Sequence, residues 1–292
     1  MNLLRIKNSI IKLFLELFVL NRHKRSILKA KWAKCNLKKY TKLALSKQKK
    51  HQSQEESDEK IIWQYWHQGE ENAPKIIKKC LDSIKKYYPD YKINVLSFDT
   101  IKNFVELPQR FYWLLENKKI PIALFSDILR LNLLSKYGGI WIDATMYATG
   151  KLPEEILGAD FFMFQKNSKN DSMQNNNSCY FIKSKKNNSF LEAIKTTLEI
   201  YWSKNDFVIN YFMFEHITTI LSSSDILKEE WQKMPIVYTN NVCAIQDKKF
   251  EKINNDDFEK IINSTSIHKL TYKTIPSDYN EVDTYIGKLL QI

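Results

Sequence analysis

The sequence has few cysteines, and none of them is spaced as a zinc site or a redox pair requires. Only four occur in 292 residues: Cys35, Cys80, Cys179 and Cys243. Cys80 falls on the apolar side of a helical pattern, and Cys179 and Cys243 stand beside apolar residues. Buried free thiols in a reducing compartment account for this pattern. Because the sequence shows no secretion signal, we expect the protein in the cytoplasm.

Acidic residues are almost missing from the first 50 residues. This segment holds 15 Lys and Arg residues but one acid, Glu16, which gives it a net charge of +14. The other 242 residues hold 30 basic and 32 acidic residues, a net charge of −2. The excess positive charge of the chain therefore belongs to an N-terminal segment. This distribution argues against a protein that is basic throughout.

No apolar run in this segment is long enough to cross a bilayer. The run from Leu13 to Leu20 contains Glu16 and is far shorter than the ~20 residues that a spanning helix needs. A short apolar stretch followed by a polybasic one, from Arg22 to Lys50, is typical of an interfacial anchor on anionic lipid. We therefore expect residues 1–50 to attach the protein peripherally to the inner face of the cell membrane.

Two other interpretations of the basic segment remain open. One is a pair of helices that packs on the rest of the protein or on another subunit. The other is a nucleic-acid-binding arm, but residues 22–50 hold only two of the aromatic side chains that would favour it, Trp32 and Tyr40. No recognised nucleic-acid-binding fold follows, so we expect no nucleic-acid partner.

Residues 46–60 separate the basic segment from a chain with α/β patterning. They include no apolar residue and are typical of a linker. The β-prone run from Ile61 to Trp66, a helical pattern ended by Pro89 and an alternating strand follow in order. Such a βαβ unit indicates a parallel sheet. We predict a basic helical segment over residues 1–45, then the linker, then one α/β domain over residues 61–292.

One stretch, from Ser126 to Thr145, carries most of the chemical information; it reads SDILRLNLLSKYGGIWIDAT. Asp127 and Arg130 are three residues apart, so on a helix they share a face. A Gly-Gly pair then ends the helix, and a short apolar strand delivers Asp143 at its C-terminal edge, where open α/β sheets bind ligands. Taken singly, these features also fit an ordinary connection and a surface ion pair. Together they suit a site for a metal-bound, phosphorylated ligand.

Six blocks of sequence resemble those of a known family. They occur in the order and at the intervals of the bacterial capsular polysaccharide synthesis proteins, relatives of glycosyltransferase family 32 and of other sugar transferases with an Asp-x-Asp motif. The blocks are IIWQYWHQG, AP…KKCLDS…YYPDY, SDILR…LLSKYGGIWIDAT, FFMF, NYFMFEH and IHKLTYK. The resemblance covers about residues 59–275.

The resemblance implies a fold and a reaction. The fold is of the GT-A type, with a Rossmann-like, mostly parallel sheet flanked by helices and an acceptor-binding half. The reaction is that of a hexosyltransferase, which moves a sugar from a nucleotide-diphosphate donor with retention of anomeric configuration. The expected acceptor is a lipid-linked or growing capsular or surface polysaccharide.

The resemblance also implies a divalent cation, Mn²⁺ or Mg²⁺, because a hard cation on carboxylate oxygen neutralises charge on the leaving diphosphate. The Asp-x-Asp triplet corresponds here to Asp143-Ala144-Thr145, so the carboxylate at the third position is missing. By resemblance, Asp143 would bind the metal with the Thr145 hydroxyl, and His268 would complete the set. Lys269 would bind the diphosphate as a point charge.

The remaining candidates belong to the donor pocket by resemblance. Asp127 would accept hydrogen bonds from the ribose, and Arg130 would orient Asp127 or reach the donor, so both join Asp143 as catalytic candidates. The first strand would bring aromatic side chains to the base, although at least one of its two Trp residues is expected in the core. The other donor-binding candidates are Trp63, Gln64, Trp66, Asn210 and Glu215.

A second class of function remains open. The Thr145 position, where the motif has a carboxylate, also fits a catalytically inert subunit that binds nucleotide sugar or carbohydrate in a capsule assembly complex. Turnover of a donor separates the two interpretations, because a binding subunit releases no nucleotide.

Overall fold

The structure of the protein is a computed structural model that describes residues 3–48, 60–166, 175–273 and 283–291. Residues 49–59, most of the predicted linker, lie outside the described residues. The strands are β1 (Ile61–Tyr65), β2 (Lys92–Leu96), β3 (Gly139–Ile142), β4 (Met146–Ala148), β5 (Phe161–Gln165), β6 (Asn177–Ser184) and β7 (Ile267–Lys269). The α-helices are α1 (Leu3–Phe18), α2 (Arg22–Lys47), α3 (Lys75–Tyr87), α4 (Gln109–Glu116), α5 (Ile122–Tyr137), α6 (Glu154–Leu157), α7 (Ser189–Lys204), α8 (Met213–Ser222), α9 (Lys228–Lys233), α10 (Asn240–Asp247), α11 (Asn255–Ser264) and α12 (Tyr285–Leu289).

A five-stranded sheet with the order β2-β1-β3-β6-β5 forms the centre of the fold. β1 pairs in parallel with β2 and β3, whereas β6 pairs antiparallel with β3 and β5. Four of the five strands therefore run in one direction. α5 packs against β1, β3 and β6, and α8 packs against β6. The predicted α/β class, with a mostly parallel sheet flanked by helices, is confirmed.

The predicted βαβ unit is present at one side of this sheet. α3 connects β1 to β2 and buries the residues that recur at helical spacing, among them Ile77, Cys80 and Ile84. β1 is buried along its whole length, as a strand covered on both faces should be. The expectation of buried thiols holds for Cys80, whereas Cys179 and Cys243 are only partly buried and Cys35 is exposed on α2.

The basic N-terminal segment forms two helices, and the second one belongs to the main core. α2 packs against α7 and α8 with a face of small residues that includes Ala33 and Ala44. Tyr40 lies edge-on to Tyr201 at 5.3 Å between ring centres, and its hydroxyl accepts a hydrogen bond from Asn205 at 3.1 Å. α2 therefore packs on the α/β part of the chain. No helix among the described residues combines the length and hydropathy of a membrane span.

A small second sheet brings the C-terminal block to the predicted site. β4 and β7 pair antiparallel, with Met146 opposite Lys269 and Tyr147 opposite His268. The backbone N–H of Leu270 donates to the carbonyl oxygen of Thr145 at 2.8 Å. Residues more than 120 positions apart in the chain are thereby held side by side at the end of β3.

Candidate functional site

The end of α5 and the start of β3 fix the geometry of the site. Asp127 and Arg130 lie on α5 and are almost wholly buried, with 5% and 3% of their surface exposed. Gly138, at a φ of +70°, ends the helix in a conformation that favours glycine. A Cβ built on Gly139 would lie 2.5 Å from the carbonyl oxygen of the first β1 residue. The glycine pair thus lets β3 start close against β1 and places Asp143 directly after β3.

Arg130 joins two carboxylates. Its Nη2 lies 3.2 Å from Oδ1 of Asp143 and 3.4 Å from Oδ1 of Asp127. The guanidinium also donates to the side-chain and backbone oxygens of Ser126 and stacks 4.8 Å from the ring centre of Trp141. The indole N–H of Trp141 donates to Asp143 Oδ1 at 2.8 Å. Asp143 keeps 25% of its side chain exposed, so it is the member of this pair of acids that can reach a ligand.

Burial separates the protonation states of these groups. It raises the pKa of Asp127 to about 8 against the opposing charge of Arg130, and the charges of Glu215 and Asp143 raise it further. Burial lowers the pKa of Arg130, but the carboxylate of Asp143 and the other acidic groups outweigh it, so the net shift is upward. Arg130 therefore stays charged, while Asp127 holds a proton near neutral pH and can donate as well as accept a hydrogen bond.

A cavity of about 370 Å³ opens beside this cluster, within the size range of small-molecule sites. Asp143 and Thr145 lie in its polar lining, and the first residues of α5 form one wall. Its aromatic lining consists of Tyr65, Trp66, Trp141, Tyr211 and Tyr272. A second cavity, of about 220 Å³, contains none of the predicted site residues.

The aromatic end of the cavity has its own contacts. Trp66 and Tyr272 lie edge to face, with ring centres 5.1 Å apart. The buried indole N–H of Trp66 has no hydrogen-bond partner within the described ranges. Tyr65 Oη and His67 Nδ1 are 2.7 Å apart, and burial lowers the pKa of His67, which keeps the imidazole neutral near pH 7. Lys273 adds a cation to this end of the lining.

His268 and Lys269, the two candidates in the C-terminal block, point in opposite directions, as neighbours on a strand do. Lys269 Nζ contacts the hydroxyl of Thr145, which lines the cavity, although Lys269 itself is not part of the lining. His268 is wholly buried, and its Nε2 lies 3.3 Å from the hydroxyl of Thr149. Burial lowers the pKa of His268 to about 4, so its ring is neutral. His268 is not part of the cavity lining, and the structure does not bring it to Asp143.

The donor atoms at the cavity do not by themselves fit a divalent metal. Over the described residues, no three His, Cys, Asp or Glu side chains are grouped to hold one. Asp143 supplies one carboxylate, and its Oδ1 already accepts from Arg130 and Trp141. The Thr145 hydroxyl is in contact with the Lys269 ammonium. A bound Mn²⁺ or Mg²⁺ therefore stays a prediction, and the positive charges that the structure brings to this site include those of lysine side chains.

The remaining donor-binding candidates lie away from the cavity lining. Trp63 donates to the carbonyl oxygen of Gly138 at 3.0 Å and packs among core aromatics, which is the alternative expected for one of the two Trp residues. The Gln64 amide is wholly buried and has no hydrogen-bond partner among the residues described. Asn210 accepts from a neighbouring backbone N–H at 2.9 Å and shapes a local turn.

Glu215 lies behind Arg130 in the buried cluster. It sits on α8 and is 7% exposed, and the thiol of Cys179 on β6 donates to its Oε1 at 3.3 Å. The carbonyl of Cys179 in turn accepts from Arg130 at 2.5 Å. Burial raises the pKa of both Glu215 and Cys179. Glu215 thus influences the site as one of the acidic groups that raise the pKa of Asp127 and Arg130.

Several cavity residues escaped sequence reasoning even though they stand in the recognised blocks. His67 follows the first strand in the WHQG sequence, and Tyr272 and Lys273 end the IHKLTYK block. The signal available for them was position: each follows a strand that ends at the site. Cys179 had no such signal, because its contact with Arg130 is made by the backbone.

Comparison with known proteins finds a matching family model, a relative by sequence and a similar structure. Residues 16–289 match the model of the family described as capsular polysaccharide synthesis protein. The O-glycosyltransferase braB of Annulohypoxylon truncatum is 28% identical over 97 residues, which is 30% of this chain and 23% of that protein. The PaToxG glycosyltransferase structure aligns with a TM-score of 0.41 at 17% identity, covering 72% of this chain and 84% of that chain.

Proposed function

The chain belongs to the capsular polysaccharide synthesis protein family, and from this premise we propose that it is a glycosyltransferase. Its donor is a nucleotide-diphosphate sugar, and its acceptor is a lipid-linked or growing capsular or surface polysaccharide of a bacterial cell. Transfer retains the anomeric configuration, and the transferred unit is a hexose. The observation that carries the proposal is the buried Arg130, which links Asp127 and Asp143 at the edge of an aromatic, cation-bearing cavity.

The nucleoside half of the donor is assigned to the aromatic end of the cavity. Trp66 and Tyr272 offer ring faces to a base, and the indole N–H of Trp66, which lacks a partner within the described part of the chain, offers a hydrogen bond. Asp127, protonated near neutral pH, is 5% exposed and is not part of the cavity lining, so we assign it to the support of Arg130 rather than to a direct contact with the ribose.

The diphosphate is assigned to the cationic side of the cavity. As the bond from the sugar to the diphosphate breaks, negative charge grows on the leaving oxygen, and fixed cations stabilise that charge in a partly desolvated site. Lys269, held against Thr145, and Lys273 are placed to do this. Asp143 faces the sugar, with its orientation set by Arg130 and Trp141. A bound Mn²⁺ or Mg²⁺ would add to the same electrostatic stabilisation.

Asp143→Asn tests this proposal most directly. The amide keeps the size of the side chain but removes its charge, so we expect donor turnover to fall about 10²-fold, as when one electrostatic contact to a transition state is lost. The full-length protein is supplied with UDP-, GDP-, CDP- and dTDP-sugars, with Mn²⁺, with Mg²⁺ and with a chelator, and nucleotide release is measured. The matched control is Asp160→Asn, whose exposed side chain pairs with Lys185 at 2.8 Å.

The second candidate function is a catalytically inert nucleotide-sugar- or carbohydrate-binding subunit, which the Asp-Ala-Thr triplet favours. Nucleotide binding measured by calorimetry, without nucleotide release from any sugar under any metal condition, would replace the transferase proposal with this one. Turnover that depends on Asp143 and is unaffected by Asp160→Asn would exclude it.

A further inference from the structure

The first helix exposes an unusual amount of apolar surface. Of the fifteen large hydrophobic side chains that are exposed among the described residues, seven lie in the first 20 residues. They are Leu3, Ile10, Leu13, Phe14, Leu17, Phe18 and Leu20, with exposures from 52% to 88%. Six of them belong to α1, and their spacing of three, four and seven residues places them on one side of the helix.

The opposite side of α1 is fixed to the protein. Leu4, Asn8 and Leu15 are buried, and Asn8 accepts a hydrogen bond from the indole of Trp32 on α2 at 3.2 Å. Glu16 pairs with Lys29 of α2 at 2.9 Å. The apolar side therefore cannot be covered by α2 without breaking these contacts, and it faces outward as the helix is packed.

Charge identifies what covers this surface. Residues 1–50 carry a net charge of +14, and cations such as Lys7, Arg22 and Lys24 are exposed on the same two helices. An apolar helix side within a strongly cationic segment is complementary to anionic lipid, which offers acyl chains below a negative surface. A second copy of this chain would bring a second +14 segment against the first, which opposes pairing through the same surface.

We propose that α1 is a membrane-docking helix that lies flat in the interface of an anionic bilayer. Phe14, Leu17 and Phe18 enter the acyl region, while the packed side stays on the protein. This surface puts the protein on the inner face of the cell membrane.

The same helix is attached to the segment that borders the cavity. Arg5 pairs with Asp206 at 3.3 Å, and Lys12 Nζ donates to the carbonyl of Val208 at 3.4 Å. Three residues later, Tyr211 lines the cavity and is 52% exposed. Docking of α1 would therefore hold this segment, and with it the Tyr211 side of the cavity, next to the membrane-bound helix. If the proposed function holds, this is the side from which a lipid-linked acceptor enters.

The test is co-sedimentation of the full-length protein with vesicles of phosphatidylcholine, with and without phosphatidylglycerol. We expect binding to the anionic vesicles that weakens with salt. The combined variant Phe14→Ser, Leu17→Ser, Phe18→Ser should bind at least ~10-fold more weakly, because three apolar side chains no longer enter the bilayer. The matched control changes two exposed apolar residues elsewhere, Ile226→Ser and Ile236→Ser (64% and 65% exposed), and should bind as the unmodified protein does.

Three outcomes overturn the proposal: no binding to anionic vesicles, equal loss in the control variant, or unchanged binding in the α1 variant. A dimer in light scattering that the α1 variant abolishes would assign the surface to a second copy and overturn it as well. Release of nucleotide from a soluble donor should be the same in the α1 variant as in the unmodified protein. A failure of the membrane proposal is thereby distinguished from a failure of the proposed function.

Discussion

The two halves of the candidate site are built in different ways. Asp127, Arg130 and Asp143 come from one stretch of 17 residues and are held by a buried guanidinium with a full set of contacts. Thr145 and Lys269 are 124 positions apart in the chain, and their side chains meet where β7 pairs beside β4, next to the cavity. The first half is a rigid, buried element whose charges balance one another. The second half supplies net positive charge where a ligand has access.

This difference predicts which residues contribute to the stability of the fold and which contribute to activity alone. A change at Asp127 or Arg130 should affect both folding and activity, because these buried charges have no access to water to replace a lost partner, whereas Asp143 is 25% exposed. A change in the cavity half should affect activity alone.

Arg130→Met should be the most damaging change. It removes the cation between two acids and leaves the oxygens that Arg130 contacts without a donor, so we expect the free energy of unfolding to fall by about 3–5 kcal/mol and turnover to be lost. Denaturant unfolding measures the first effect and nucleotide release the second. The control Arg5→Met removes an ion pair whose arginine side chain is 48% exposed and should change stability by at most ~1 kcal/mol.

A double-mutant cycle sharpens this prediction. Adding Asp143→Asn to Arg130→Met should recover part of the lost stability, because the unpaired carboxylate is gone. If the two changes are simply additive, Arg130 and Asp143 do not interact energetically, and the account of the buried half is wrong.

Lys269→Met and His268→Gln test separately the two candidate residues of the C-terminal block, one for a role in activity and the other for a role in stability. Lys269→Met should lower nucleotide release about tenfold or more with little change in thermal stability, since the ammonium is held against the cavity-lining Thr145. His268→Gln should lower stability while turnover per folded molecule and its dependence on Mn²⁺ stay as they were, because the ring packs inside, against Thr149. Loss of metal dependence in His268→Gln would show that the ring reaches the site in a way that its position does not indicate.

Local patterns in the sequence were enough to predict part of this site. Asp127 and Arg130 are one helical turn apart, and Asp143 follows a short apolar strand, so their proximity depends on helix and strand geometry alone. The mostly parallel sheet could be predicted for the same reason, because the βαβ unit between β1 and β2 lies within about 35 residues.

What sequence could not provide depends on register and burial. Whether His268 or Lys269 contacts the cavity-lining Thr145 is decided by how β7 pairs with β4, and a shift of one residue would exchange them. Trp63 and Trp66 are both in an aromatic run, yet only the latter lines the cavity. Likewise, α2 buries alanines among its lysines. From the sequence alone this pattern predicts a polar, exposed helix, and only the packing of α7 and α8 against α2 shows its buried face.

The most gradual effect expected, spread over several pH units, is a pH dependence that belongs to Asp127. Because the pKa of Asp127 in the folded protein is about 8, above that of an unfolded aspartate near 4, the folded state binds the extra proton between these values. Its contribution to stability is complete below about pH 4 and is lost as pH rises through about 8, by at most ~1.4 kcal/mol per pH unit. Asp127→Asn removes this group, so the difference in stability between variant and unmodified protein should shift in favour of the variant as pH rises.

Glu215, whose pKa burial also raises, is present in both proteins, so the difference isolates Asp127. Denaturant unfolding at a series of pH values from 4 to 8 measures it, and Asp160→Asn should follow the unmodified protein, since it leaves the buried cluster in place. A flat difference curve for Asp127→Asn would mean that Asp127 is ionised in the folded state. Arg130 would then be shared equally between two charged acids, and the buried half of the site would carry a net negative charge that Lys269 and Lys273 must balance.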